Sequence, residues 1–372
     1  MSTSKTASLF RFVPALAGLA LIAAGCGQAA PAASPSAGAA KPAAETSAAP
    51  SAAASAKPAT SASAAAKPSG GAAQVVTVKM GQTGNSPASW PLFVGQAKGF
   101  LEKQGLKVEN VVIGSSVTQT QALINGDVSF NTYSVDSMAK PILQGATIKL
   151  IGSAQEVPNF QMIVSPSINS WADLKGKTVA AGSAGGYFDI VMRGMMEANG
   201  LKANDYQVIS IGDSSQRLPA IQTNKVAGAI MGGPDDSRAL AAGLKSLGYV
   251  NQYLKDIQYN GYGVEDKWAK SHEALVVGFL KAMKQSTDWL YDPANKAEAE
   301  SVYNAVSPLE PKYLDAIYDQ LITQKMLSRD LKPNNKGIEN LLNLAVNQKN
   351  LDKVPPLDSW IDLSYLNKAL AG

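Results

Sequence analysis

Cysteine and histidine are almost missing from this chain: Cys26 and His272 are the only ones in 372 residues. A single cysteine excludes an intramolecular disulfide. Thiolate catalysis, paired-cysteine metal sites and multi-histidine metal sites lose their raw material as well, so no metal and no cofactor is expected. The sequence contains no Gly-x-Ser-x-Gly elbow and no His-Glu-x-x-His helix. A histidine-dependent triad would have to use His272, which falls at a Lys- and Glu-rich, solvated helix start. Gly185-Gly186 is not followed by Lys-Ser/Thr, so no nucleotide-binding P-loop is present. An excess of positive charge is also missing from the folded part. Five bases (Lys5, Arg11, Lys41, Lys57, Lys67) but only one acid (Glu45) precede residue 74, which leaves the remainder formally neutral despite the net +4 of the chain. With no basic stripe interleaved with aromatics, nucleic acid is not an expected partner. No catalytic residue can be named.

The N-terminus carries a short apolar run, Phe12–Ala24, after Lys5 and Arg11. It is too short to span a bilayer, which takes roughly 20 residues, and has the layout of a secretory signal. Ala23-Ala24-Gly25-Cys26 resembles a bacterial lipobox. That resemblance implies lipidation of Cys26 and a membrane anchor; plain cleavage and release is the alternative. Residues 27–73 are nearly all Ala, Ser, Pro and Lys, too poor in apolar bulk to fold, and read as a disordered tether.

From residue 74 onward the patterning is α/β. The stretch Gly114–Ser134 organises it. A β-rich run, Val108–Ile113, enters Gly114-Ser115-Ser116, and a helix follows with Val117, Leu123 and Ile124 on one face. Asn125-Gly126-Asp127 stops the helix, Val128–Phe130 reads as a strand, and Asn131–Ser134 as a loop. The same phrase returns 98 residues later: Gly212-Asp213-Ser214-Ser215, then Ala220-Ile221 and Val226. A period near 100 is far longer than solenoid repeats and points to two similar lobes. The expected organisation is a signal at 1–26, a tether at 27–73, the first part of lobe 1 at 74–164, lobe 2 at 165–262, and completion of lobe 1 with C-terminal helices at 263–372. Chain crossings near Val164–Ser167 and Tyr259–Val264 would then act as hinges.

Candidate site residues follow from a recurring pattern: a small, polar loop at the C-terminal end of a strand, opening a helix. Ligands of open α/β sheets bind there, and free N–H groups at helix starts favour anions. Four loops qualify, carrying Ser115 and Ser116; Tyr133 and Ser134; Ser183, Gly185 and Gly186; and Asp235. For each serine, simple N-capping is the competing role. Trp90, Tyr133 and Tyr187 are candidate aromatic walls, with core packing the alternative. Arg217 is the one arginine close to a candidate loop; it pairs with an acidic ligand or lies on an exposed helix face.

Three phrases carry a family resemblance: Pro91-Leu92-Phe93-Val94-Gly95-Gln96-Ala97-Lys98-Gly99-Phe100, Gln121-Ala122-Leu123-Ile124-Asn125-Gly126-Asp127-Val128, and Ala172-Asp173-Leu174-Lys175-Gly176-Lys177-Thr178-Val179. Over roughly Val75–Phe279 the chain resembles substrate-binding lipoproteins of bacterial ABC importers, in the nitrate/sulfonate/taurine and thiamine-pyrimidine-precursor family. The resemblance implies a two-lobed type II periplasmic binding protein with a ligand cleft between the lobes. It implies a monomer outside the cytoplasm that takes a small anionic ligand to a permease with a cytoplasmic ATPase. Desulfinases and thiamine-precursor synthases on the same fold are the enzyme alternative, and their chemistry needs the Cys or His residues missing here. A ligand sensor is the third reading.

Overall fold

The computed structural model describes Val75–Ala371; the signal segment, Cys26 and the tether lie outside the described residues. The first sheet contains β1 (Val76–Gln82), β2 (Leu106–Val112), β3 (Phe130–Ser134), β4 (Ile148–Gln155) and β10 (Asn260–Glu265), in the order β2-β1-β3-β10-β4. The second contains β5 (Gln161–Val164), β6 (Thr178–Ala181), β7 (Gln207–Ser210), β8 (Gly228–Met231) and β9 (Lys245–Tyr249), in the order β7-β6-β8-β5-β9. In each sheet the first three strands are parallel and the fourth is antiparallel to both its neighbours. The two lobes thus share one topology, as the 98-residue echo implies.

Lobe 1 carries α1 (Trp90–Ala97), α2 (Phe100–Lys103), α3 (Ser116–Asn125) and α4 (Asp136–Leu143). The helix is broken between α1 and α2 at Gly99, whose φ of 67° lies in the left-handed region. Lobe 2 carries α5 (Tyr187–Ala198), α6 (Ser214–Gln222), α7 (Asp235–Ala241) and α8 (Val250–Tyr253). Then follow α9 (Asp266–Ser271), α10 (Glu273–Leu290), α11 (Lys296–Val306), α12 (Pro311–Tyr318), α13 (Asn335–Asn347) and α14 (Ser364–Ala371). Among the described residues no helix is long and apolar enough to cross a membrane.

Three expected boundaries move. Residues 131–134 are strand, not loop: β1 pairs with β3 through Gln82↔Thr132, and β10 with β3 through Asn260↔Ser134. Gln161–Val164 belongs to the second sheet, sandwiched between β8 and β9, so lobe 2 begins at β5 rather than at residue 165. The stretch 263–372 does not complete lobe 1 alone. Ile338, Leu341 and Leu342 of α13 are buried with Ile190, Val191 and Met195 of α5, and the Gln348 side chain donates to the Ile190 carbonyl at 2.9 Å. An amphipathic helix seats its apolar stripe wherever a facing stripe exists, which sequence position does not reveal.

The crossings between the sheets are therefore residues 156–160 and 254–259, and they run side by side. The Tyr259 amide donates to the Glu156 carbonyl at 3.0 Å. Buried Gln258 donates to Ser153 Oγ, Gln155 O and Asn260 O at 2.9–3.2 Å. The Asn334 amide donates to Gln258 Oε1 at 3.0 Å. This ties the crossings to the segment leading into α13.

Candidate functional site

The C-terminal ends of the parallel strands of both sheets converge on one cavity of about 490 Å³. Its wall is made of matching loop pairs. Thr83–Pro87 after β1 corresponds to Gly182–Gly186 after β6, Gly114–Ser116 after β2 to Gly212–Ser214 after β7, and Ser134–Ser137 at β3 to Gly232–Asp235 at β8. The correspondence reaches single hydrogen bonds. Ser116 Oγ accepts from the Ser134 amide at 3.4 Å, and Ser214 Oγ accepts from the Gly232 amide at 3.2 Å. Capping is shared too: Ser115 Oγ accepts from the Thr118 amide and Asp213 Oδ1 from the Gln216 amide, both at 3.2 Å. The N-cap at each lip, Ser115 in one and Asp213 in the other, is thus a cavity-wall residue as well.

Of the residues singled out from sequence, Ser115, Ser116, Ser134, Ser183, Gly186, Tyr187 and Asp235 line this cavity. Trp90, Tyr133 and Gly185 do not. Trp90 is core: its Nε1 donates to the Ala299 carbonyl at 3.0 Å and its ring packs on Tyr303, with centroids 4.8 Å apart. Tyr133 sits on β3 with its ring over Gly263, where an added Cβ would meet the Tyr133 hydroxyl at 2.1 Å. Alternation along the strand sends its side chain to the sheet face while Ser134 reaches the rim. The Gly185 amide is already taken, donating to Asp189 Oδ2 at 2.9 Å. The Tyr133 hydroxyl is buried and has no hydrogen-bond partner among the described residues. Tyr133→Phe is accordingly expected to leave ligand affinity within about twofold and to raise stability by about 1 kcal/mol, read by titration and chemical denaturation; a loss of affinity would return Tyr133 to the site.

Of the aromatic box, sequence reasoning named Tyr187 and left out the other three members. Phe160, Tyr187, Phe188 and Tyr259 line the cavity together. Phe160 stands edge-on to Phe188 at 4.7 Å and to Tyr259 at 4.8 Å, and Tyr187 meets Tyr259 at 4.8 Å. Phe160 and Tyr259 come from the two crossing segments, so the crossings supply part of the pocket wall. The signal that could have found them was their place in those connections.

Arg217 also lines the cavity, on α6, and is only 1% exposed. It is not on an exposed helix face. Nη1 donates to the carbonyls of Ile211 (3.1 Å) and Gly212, Nη2 to Ser214 Oγ at 3.3 Å, and the guanidinium lies 5.0 Å from the Phe188 ring centroid. Nε has no partner among the described residues. Burial pulls its pKa down to about 10, against the opposing pull of Asp213, Asp235 and Tyr259, so it stays cationic at neutral pH. Beside it, α5 begins at Gly186 with no side-chain cap, leaving helix-start N–H groups turned to the same space. Across the cleft, Asp136 opens α4, and burial lifts its carboxyl to about 6, against weaker pulls from Ser134 and a backbone N–H. Asp235 is paired with Arg238 at 2.9 Å. Buried Asp236 turns away, accepting from Gln161 at 2.8 Å. His272 is exposed and stacks on Trp268 at 4.7 Å, and it is not among the residues lining the cavity.

The same architecture recurs in known proteins. The periplasmic nitrate-binding protein NrtA of Synechocystis matches with a TM-score of 0.65 at 15% identity, covering 81% of this chain and 90% of that one. The aliphatic sulphonate binding protein SsuA of Escherichia coli matches at 0.61 and 18%, covering 77% and 92%. DszB, solved with biphenyl-2-sulfinic acid, matches at 0.59 and 13%, covering 79% and 99%. In sequence, YtlA of Bacillus subtilis, named as a binding protein, is 22% identical over 306 residues, 78% of this chain and 89% of the relative. The fold is that of the type II periplasmic binding proteins. A family model described as NMT1/THI5 like matches residues 86–297, more than half of the chain, and the protein belongs to that family.

Proposed function

We propose that the chain is an extracytoplasmic solute-binding protein that captures a small organic or sulfonate- or nitrate-like anion and delivers it to an ABC importer. The observation that carries this is Arg217: a buried cation with an unpartnered donor on the wall of a cavity ringed by serine and glycine loops of both lobes. Retaining a charge away from water is costly unless something pairs with it, and an anionic ligand would do so. NrtA and SsuA, similar in fold, support the choice of anion.

Ligand bridging the two sets of loops would favour the closed arrangement of the lobes, by as much as its affinity for closed exceeds that for open. Phe160 and Tyr259 would couple occupancy to the hinge directly. The closed face would be what a permease reads. Lipidation at Cys26 and the tether ahead of residue 74 would keep the protein at the outer face of the membrane.

Catalysis is the weaker reading, although DszB and a Haemophilus influenzae protein named for thiamine biosynthesis share the likeness. The residues lining the cavity include no cysteine, histidine or lysine, which leaves no ordinary nucleophile or neutral-pH base of those kinds.

The test is a thermal-shift and calorimetric panel of nitrate, alkyl- and arylsulfonates, carboxylates and aminopyrimidines on the purified chain. One class is expected to raise the melting temperature with concentration; at 100 times Kd the gain is about 2.7 kcal/mol. A flat response across the panel by a folded protein would overturn the reading.

A further inference from the structure

The charged side chains of the cavity wall can be accounted for one by one. Asp235 is spent on Arg238 at 2.9 Å. Asp213 Oδ1 accepts from the Gln216 amide at 3.2 Å and the Ser215 hydroxyl at 2.6 Å. Arg217 keeps its Nε free, and Asp136 keeps a buried Oδ1 with no partner among the described residues. The two unspent charges have opposite sign and come from opposite lobes, Arg217 from α6 and Asp136 from the start of α4. Tyr187 and Tyr259 line the same cavity, with ring centroids 4.8 Å apart. The Tyr187 hydroxyl is itself buried without a partner.

A purely anionic ligand would satisfy Arg217 and face an unneutralised carboxylate on the wall of the same cavity, a repulsion that acts against binding. A cation at Asp136 removes the conflict, and the flanking tyrosine faces suit it. We propose that the cleft selects amphoteric ligands: an anionic group held by Arg217, a protonated amine held by Asp136, and a flat or apolar middle held by the box of Phe160, Tyr187, Phe188 and Tyr259. This rests on the solute-binding reading above and goes beyond it, because it makes Asp136 the residue that sets specificity.

Matched probes test it on the full chain by calorimetry at pH 7.5: 4-(aminomethyl)benzoate against 4-methylbenzoate, and the corresponding benzenesulfonates. Within at least one pair the amine is expected to bind about tenfold tighter or better, the yield of one charge-assisted pair. Asp136→Asn is expected to erase that preference and to bind the methyl compound tighter than the unaltered protein does, because the opposing carboxylate is gone; Asp136→Ser serves if the amide repacks the site. Arg217→Gln should weaken both members of a pair alike. Equal or tighter binding of the methyl compounds, or a preference that survives both Asp136 variants, would overturn the assignment. If no probe binds while a simple anion of the panel does, the amphoteric assignment fails and solute binding stands. If nothing binds at all, both fail.

Discussion

Arg217→Ala is expected to weaken capture of an anionic ligand by at least ~30-fold and to leave the chain folded. Truncating one partner of a desolvated charge pair costs about 2–5 kcal/mol, and every 1.4 kcal/mol is about a tenfold change in Kd. The guanidinium is sited for this cost to be large. It is 1% exposed, its Nη groups are braced on the Ile211 and Gly212 carbonyls and on Ser214 Oγ, and only the remaining donors are spare. Those carbonyls belong to a loop on the cavity wall, where water can replace the lost donor, so the stability cost should stay near 1–2 kcal/mol. Arg217→Lys keeps the charge and loses the rigid fork, and should fall between. Calorimetric titration with the best panel ligand, alongside a melt of each variant, separates the two effects. Unchanged affinity in Arg217→Ala would remove the residue from the site and with it the main support for an anionic ligand.

Asp136→Asn is expected to make the empty protein more stable at pH 7.5, by up to about 3 kcal/mol. The sign follows from the direction of the shift. Burial raises the carboxyl from 3.8 to about 6 in the folded protein, so the ionised form is penalised only there. Above pH 6 both folded and unfolded chains carry the charge and the full penalty stands. As pH falls from about 6 towards 4 the folded protein takes up the proton first, and the penalty is gone below the unfolded value. The two proteins should therefore converge by about pH 4. Solvent in the cavity screens the carboxylate and trims the figure. Asp236, also raised by burial, acts in the same direction in both proteins and cancels in the comparison. Urea denaturation from pH 4 to 8 measures the difference. A gap that does not change with pH would show that burial of the Asp136 charge is not its source.

A ligand-free protein that tolerates such a penalty is consistent with a carboxylate kept for binding. The proposed amine would remove the penalty on arrival, so affinity for an amphoteric ligand and instability of the empty cleft would have one cause.

Much of the site was legible before the structure because loops at strand ends have a local signature. Ser115, Ser116, Ser183, Gly186 and Asp235 could be read from Gly, Ser and Asp at the start of helical patterns. The echo at Gly212-Asp213-Ser214 marked the second rim as well, and the paired bonds from Ser134 and Gly232 to Ser116 and Ser214 are its structural form. Side-chain destinations were not legible. Trp90 and Tyr187 both stand at the head of a helix, yet one is sealed against Tyr303 and the other opens on the cleft. The difference is what lies opposite, Tyr303 for Trp90 and Phe160 and Tyr259 for Tyr187, none of them a neighbour in sequence.

Local pattern alone settled the α/β class, the doubled lobe, the positions of the rim loops and the neutrality of the folded part, because periodicity, capping and turn chemistry act over a few residues. Three matters needed the tertiary structure. The crossings fell at 156–160 and 254–259 because hydrogen bonding of β5 between β8 and β9 claimed that strand for the second lobe. The helix α13 packs on α5 of lobe 2 as well as on α4 of lobe 1, because both present apolar faces to it. Arg217 and Asp136 became opposing poles because folding took both from water into one cavity. Burial is a property of the assembled surface, and no short stretch of chain encodes it.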